Sequence, residues 1–497
     1  MTRTRKGSLV MSKQITKRAT LSAGFGAGAA VLLEQRASAD TPFVNFAFPV
    51  TGGNARRTMP DRLTDIINVK DFGAVGDGIA NDTAAIKAAI AAAAIKGTAR
   101  AGMSRTGGTV YFPAGQYRVT ETLFPPNTPS GTTQVNLIGA GKTCCALMGE
   151  LPNDYLILTA DWGKWFGLIE GFRLYNARGI YVDSIMGMVI RDCDLRCSVN
   201  ALAIGGVSGN CYNTSIYNTQ CVGAPGADGV MLPGSVGIYS AQAEFYGLSV
   251  TNYDIGFAGW NTGIVLEGSR FEVNNTAIVL GKAYPGGRDQ LSGSKLGAIS
   301  FERNDTAILM KNAFNCTLSA LDITGTVAPY FGLDGSGGDF RIASINWAGG
   351  VATITTTAPH GIQNYLNKVR GGMTTCGAAV ANTTNATYNK SHVATVTGPT
   401  TLTIPMPTNL GNATGGDFRL QPFCGLRVET GSRVVYNISA GGNFSWAAVD
   451  LSAQNLGAWL STFMSCWGDR GTGAGGVNWR MPVPAAAGQV TFIACNV

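Results

Sequence analysis

The sequence predicts an all-β protein of stacked coils, each made of short strands, with one helix capping the N-terminal end of the stack and a small β module inserted near its C-terminal third. Three observations predict it. Helix-forming residues concentrate in one alanine-rich run over 83–96, and from Leu156 to Thr326 short β-branched runs alternate with Gly, Asn and Asp. The block Phe271-Glu-Val-Asn-Asn-Thr-Ala-Ile-Val-Leu then returns as Phe301-Glu-Arg-Asn-Asp-Thr-Ala-Ile-Leu-Met, offset by 30 (301 − 271). Runs this short make no independent sheet, but stacked about 4.8 Å apart they bury one continuous core. Sixty-seven glycines, 13% charged and 45% hydrophobic residues suit many tight turns and exclude a disordered chain.

In chain order, residues 1–39 read as an export signal. Seven Lys or Arg stand there against Glu34 alone; a basic stretch ending at Lys17-Arg18 precedes a mildly apolar run to Leu33, and Ala37-Ser38-Ala39 offers a small-residue cleavage site. The run is too short and Gly-rich to span a bilayer. The Lys-Arg pair resembles a twin-arginine signal with its first Arg replaced, so export to the periplasm or beyond is expected with the route open. The leader carries six of the seven net positive charges of the chain, and the sequence beyond the 40–65 linker is near neutral. That removes the electrostatic case for a nucleic-acid partner.

The helix start is marked by Asn81 and Asp82, short polar residues able to cap free backbone N–H groups, and its end by Gly97. Ile86, Ile90 and Ile95 give it an apolar stripe. Val110-Tyr-Phe-Pro-Ala-Gly-Gln-Tyr-Arg-Val comes next as two brief strands broken at Pro113 and Gly115. A helix ahead of short strands suits a cap on an otherwise open sheet end.

This block resembles the opening of the pectate-lyase-like proteins, a superfamily that includes rhamnogalacturonase- and epimerase-like domains and many phage tailspikes. Asp71-Phe-Gly-Ala-Val-Gly-Asp-Gly, Asn81-Asp82-Thr83 and Gly107-Gly-Thr-Val-Tyr-Phe-Pro-Ala-Gly carry the resemblance. It implies a single-stranded right-handed parallel β-helix over 66–338, and it implies little about the reaction, because one fold hosts hydrolases, lyases, epimerases and inert shafts. Asp71, Asp77 and Asp82 are read as turn and cap residues. The polygalacturonase residue set and the Asp-Pro-His signature of alginate epimerases are both missing from the sequence.

Residues 339–421 change character: they are rich in Thr, Asn and Gly, contain both histidines, and are read as the inserted β module, with 422–497 as final coils and a cap. Eleven cysteines in an exported chain would sit where disulfides persist, with Cys193–Cys197 or Cys211–Cys221 as pairings and a buried hydrophobic role as the alternative. Their spacing does not suit zinc. No cofactor is expected; a calcium site built from Asp side chains stays open.

With His360 and His392 confined to the module, chemistry on the coils falls to carboxylates. Alternation along a strand turns Phe271 and Phe301 inward and stacks Glu272 and Glu302 on one exposed face. Two carboxylates ~5 Å apart match retaining glycosidases, where one is acid/base and the other nucleophile, and mutual repulsion would keep one protonated. Asp305 is expected to join them, Arg270 and Arg303 to bind an acidic sugar or serve a lyase, and Trp260 and Tyr253 to stack on sugar rings. Asn274 over Asn304 is read as an internal hydrogen-bonded ladder. A weaker cluster is Asp183, Asp192 and Asp194. The expected function is a secreted glycoside hydrolase acting on polysaccharide. The alternatives are a lyase on the same fold, or a non-catalytic glycan-binding shaft of tailspike kind, which would be a homotrimer.

Overall fold

In a computed structural model, residues 65–94, 105–123, 133–160, 167–224, 230–325, 327–329, 340–432, 434–442, 444–451, 461–469, 477–480 and 490–495 are described. The expected leader and linker, and the expected helix end at Gly97, lie outside them. Asn68–Val497 form one unit, which holds both the coil stack and the module.

Three faces of parallel strands stack coil on coil, and each is lined inside by a column of in-register apolar side chains. On the first, Ile190, Ile216, Phe245, Leu266, Leu296 and Leu318 pair in sequence. On the second the column is Leu174, Leu195, Cys221, Val250, Phe271 and Phe301. On the third it is Leu202, Ile238, Phe257, Ile278, Ile308 and Leu426. All are buried, and Phe271 stacks on Phe301 with centroids 5.8 Å apart. The chain is thus the right-handed parallel β-helix that the repeat and the resemblance predict.

The faces meet at left-handed corners. Between the first and second faces the corner falls on Asp192, Asn218, Gly247, Gly268, Ala298 and Ala320, with φ between 44 and 68°. At such corners the freedom of glycine and asparagine to take positive φ matters. The next residue often turns a short polar side chain back onto the carbonyl two positions earlier: Thr219 to Tyr217 at 2.9 Å, Ser269 to Glu267 at 3.0 Å, and Cys193 to Arg191 at 3.3 Å. The thiol of Cys193 therefore stands in for a hydroxyl. All eleven cysteines are free, which corrects the expected Cys193–Cys197 and Cys211–Cys221 pairings. Cys221 faces Leu195 and Val250 across the coils, and Cys211 faces Ile185, so neither meets its expected partner.

Helix α1, Thr83–Ala94, buries Ile86, Ala89, Ile90 and Ala93. The Asn81 side-chain oxygen accepts the Thr83 N–H at 3.1 Å, as a cap should. Asp82 instead accepts the N–H groups of Val75 and Gly76, at 2.6 and 3.2 Å, and Asp77 accepts those of Ile79 and Ala80, both at 2.8 Å. The Ala80 and then the Ile79 N–H hold the Asp77 carboxyl below its ordinary value. Both acids shape turns, as read from the sequence.

The module between 340 and 420 is a separate seven-stranded antiparallel sheet, with helix α2, Ile362–Val369, beside it. It interrupts the sequence and leaves the coil stack continuous: Thr306–Met310 pairs directly with Cys424–Val428, and Thr317–Gly325 with Val435–Gly442. Its key is an ion pair. Arg370 reaches Asp305 at 2.5 Å with both side chains 2% exposed, and also donates to the Gln421 carbonyl at 2.7 Å. Burial opposes the Arg370 charge, but the adjacent Asp305 carboxylate outweighs it and holds the guanidinium above its ordinary value. His360 and His392 are buried inside the module. The His360 Nδ1 accepts the Ile362 N–H at 3.1 Å, and the His392 Nε2 donates to the Tyr388 carbonyl at 2.9 Å.

Candidate active face on the second sheet

The outward side of the second sheet is polar along its length, because the residues flanking each inward side chain alternate to the surface. One outward column runs Arg173, Asp194, Gln220, Ser249, Arg270, Ser300 and Asp322; the other runs Tyr175, Arg196, Val222, Thr251, Glu272, Glu302 and Thr324. Glu272 pairs in register with Glu302. Glu302 is exposed and Glu272 half-buried. The Arg303 guanidinium lies 3.9 Å from Glu272, and among the described residues Glu302 makes no ion pair. Arg270 is exposed beside Ser300 and Asp322, and these three border a cleft of about 410 Å³.

The corner beneath the pair is held by a ladder. Asn274 donates from its backbone N–H and its side-chain amide to the Asn304 oxygen, at 2.9 and 3.1 Å, while Asn304 donates to the Phe271 carbonyl at 2.9 Å. The asparagine ladder predicted from the repeat is therefore present. It fixes Val273 and Arg303 in left-handed conformations, φ 58 and 57°. For a β-branched valine this is a costly conformation, of order 1–3 kcal/mol.

Three predicted site residues are elsewhere. Asp305 is buried in the ion pair with Arg370 and cannot join the glutamates at the surface. Tyr253 is fully buried and donates to the Cys197 carbonyl at 2.9 Å. Trp260 is 4% exposed and packs on Ala241 and Ala283, its ring so close to Gly287 that a Cβ there would lie 2.9 Å from it. None of the three offers a face to a sugar. Of the second acidic cluster, Asp183 bonds to Tyr181 and Asp192 accepts from Asn218, so neither shares the surroundings of Asp194.

Asp194 lies at the N-terminal end of the same polar face. Its Oδ2 accepts from Arg173 at 2.7 Å and from Arg196 at 3.1 Å, and its carboxylate is 3% exposed. Its other oxygen has no partner. An open cleft of about 570 Å³ beside it is lined by Tyr175, Asn176, Arg196 and Glu150. Glu150 is itself paired with Arg118, at 2.7 and 2.8 Å, so beside the cleft two arginines share the single Asp194 carboxylate and leave a net positive charge.

A second cluster, missed from sequence, lies about the third sheet. Tyr181 and Tyr239 both meet Tyr284 edge-on, with centroids 5.6 and 5.3 Å apart. Tyr155 lies 5.2 Å from Tyr181, and the Arg178 guanidinium lies over Tyr155 at 5.7 Å. Arg178 has an unpartnered buried Nε. Burial, and then nearby Lys311, push the half-buried Lys282 ammonium below its ordinary value. Burial raises the Tyr155, Tyr181 and Tyr239 hydroxyls, which suits them to donate hydrogen bonds and ill suits them as bases. No motif announces the cluster, because its members come from separate coils; among the described residues its one signal is a half-buried Arg in no ion pair with a carboxylate.

Among the described residues no group of three His, Cys, Asp or Glu is placed to hold a metal, and no helix is long and apolar enough to cross a membrane.

A parallel β-helix with a polar outer face is the architecture of the pectate-lyase-like proteins, and residues 66–285 match the family described as rhamnogalacturonase A/epimerase, pectate lyase-like. Over 75 residues, 15% of this chain and 7% of the relative, the sequence is 49% identical to mannuronan C5-epimerase AlgE2 of Azotobacter vinelandii. Over 58 residues, 12% of this chain and 7% of the relative, it is 52% identical to plasmin and fibronectin-binding protein A of Streptococcus pneumoniae (strain ATCC BAA-255 / R6). The matches thus span less than a tenth of either relative. A solved structure of the catalytic unit of the thermostable GH87 alpha-1,3-glucanase of Streptomyces thermodiastaticus strain HF3-3 superposes with a TM-score of 0.49 at 13% identity, covering 87% of this chain and 69% of that one.

Proposed function

We propose that this chain is an exported polysaccharide-cleaving enzyme, a retaining glycoside hydrolase that binds its substrate along the outward face of the second sheet. The observation that carries the reading is the in-register placement of Glu272 over Glu302. Like charges stacked at strand spacing are destabilising by a fraction of a kcal/mol, so a folding role does not account for them. Glu272, beside the Arg303 guanidinium, suits the nucleophile: it attacks the anomeric carbon while the more exposed Glu302 protonates the departing oxygen. Water then breaks the glycosyl ester, with Glu302 taking its proton. Arg270, and the Arg173 and Arg196 pair three to four coils away, about 14–19 Å along the stack, supply positive charge for an acidic sugar chain.

A lyase is the second reading, favoured by the half-buried Lys282, whose ammonium burial holds below its ordinary value. The test incubates residues 40–497 with plant, algal and bacterial polysaccharides and follows reducing ends together with the ultraviolet absorbance of unsaturated uronates. Reducing ends alone, lost in Glu272→Gln and in Glu302→Gln, support the hydrolase. Added absorbance moves the chemistry to the arginines or to Lys282. Silence across the panel, with trimers by light scattering, leaves the glycan-binding shaft.

A further inference from the structure

Cys466 and Cys495 occupy the same position in consecutive coils. The strand Ser461–Met464 pairs in parallel with Val490–Ile493, placing Met464 opposite Ile493. The next residue in each coil, Ser465 and Ala494, takes a left-handed corner with φ 50 and 52°. The cysteines follow those corners with the offset unchanged at 29 (493 − 464 and 495 − 466). The Cys466 N–H donates to the Cys495 sulfur at 3.4 Å, and each thiol also turns onto the carbonyl two residues back, at 3.6 Å for Cys466 and 3.4 Å for Cys495. In-register residues of adjacent parallel strands stand about 4.8 Å apart at Cα, within the ~4.4–6.8 Å that a disulfide spans. The strand cysteines have no cysteine in register with them: Cys424 faces Thr306 and Ala447, Cys376 faces Ala394, Cys145 faces Gly115, Cys197 faces Asn176, Cys211 faces Ile185, and Cys221 faces Leu195 and Val250.

We infer that Cys466 and Cys495 form an oxidisable pair, closed to a disulfide by a small-molecule or protein disulfide in an oxidising compartment. Cys495 is partly exposed and Cys466 is 2% exposed, with its thiol pushed up to about 12 by burial, so the order of attack is set. The Cys495 thiolate attacks oxidised glutathione and releases one glutathione. The Cys466 sulfur, losing its proton to solvent, then displaces the second. Two thiols lose two protons and two electrons, and one oxidised glutathione becomes two reduced ones. The cross-link ties one coil to the next across a loop of 29 residues.

The experiment equilibrates the full-length reduced protein with oxidised glutathione, alkylates it after denaturation, and maps the digest by mass spectrometry. Expected is one cross-linked peptide pair containing Cys466 and Cys495, with the remaining nine cysteines alkylated. Proteolytic release of the 490–495 strand should slow by about 10-fold or more on oxidation, and this difference should vanish in Cys495→Ser. A lasting glutathione adduct on Cys495 with Cys466 still alkylated overturns the inference, as does a cross-link involving any other cysteine. The mapping needs no variant, so a poorly folding Cys495→Ser leaves the result decisive.

Discussion

The two ends of the second sheet's polar face are built on one plan and hold opposite charge ratios. At one end a single carboxylate, Asp194, is shared by Arg173 and Arg196 at 2.7 and 3.1 Å and is nearly sealed from water. Nearer the other, of two stacked carboxylates only Glu272 has an arginine beside it, at 3.9 Å, and both reach solvent. The first arrangement is compensated on the carboxylate side and keeps a surplus of positive charge for a ligand. The second is under-compensated, as a reacting pair has to be. Register alone does not separate structural from chemical acids; the ratio of partners to carboxylates, read with burial, does.

The largest effect tests the reactive end. Glu272→Gln and Glu302→Gln should each lower polysaccharide cleavage by about 10³-fold or more while leaving the melting midpoint unchanged or slightly raised, as relief of like-charge repulsion requires. Equal activity in either variant would remove the pair from the chemistry. Asp305 extends the comparison to complete compensation. Arg370→Ala, which strands its buried carboxylate, should cost about 3–5 kcal/mol in denaturant unfolding. Asp194→Asn is intermediate, because its arginines are partly exposed: about 2 kcal/mol by denaturant unfolding.

Acid supplies a control on the module that the face should not feel. Burial lowers the His360 and His392 imidazoles, outweighing the backbone hydrogen bonds that pull the other way, at Thr401 and Gly398 for the one and at the Tyr388 carbonyl for the other. A histidine depressed in the folded state binds its proton more readily when unfolded, near pH 6.5. Stability is therefore full above that pH and lost progressively as pH falls through it and below. Melting curves from pH 8 to 5 should show the loss, and His392→Gln should flatten it. The smallest effect is expected from Arg303→Ala, within about 0.5 kcal/mol of wild type by denaturant titration, since its pair with Glu272 is partly solvated.

Most of the fold was legible in the sequence because its determinants are local or strictly periodic. Asn81 caps α1, the Phe-Glu alternation at 271 and 301 sets inside and outside, and the Asn274 and Asn304 repeat announces a ladder. Legibility failed at corners. Tyr253 follows Asn252, and Trp260 precedes Asn261, both left-handed at φ 65 and 67°, and there the two-residue alternation no longer says which way a side chain points. Asp305 failed for another reason. Its partner Arg370 is 65 residues away, inside a module whose docking no coil-level pattern encodes. The Arg178 and tyrosine cluster shares that cause, drawing residues from 155 to 284 onto one surface.

The unbroken pairing of Thr306–Met310 with Cys424–Val428 has a consequence for how such a chain can be rebuilt. The solenoid needs only that an excursion leave and return at neighbouring rungs, so the port between them accepts cargo of any fold whose ends lie close together. Asp305 is the latch of that port. A foreign domain grafted there must bring its own guanidinium to the carboxylate, or the graft should carry a neutral residue in its place.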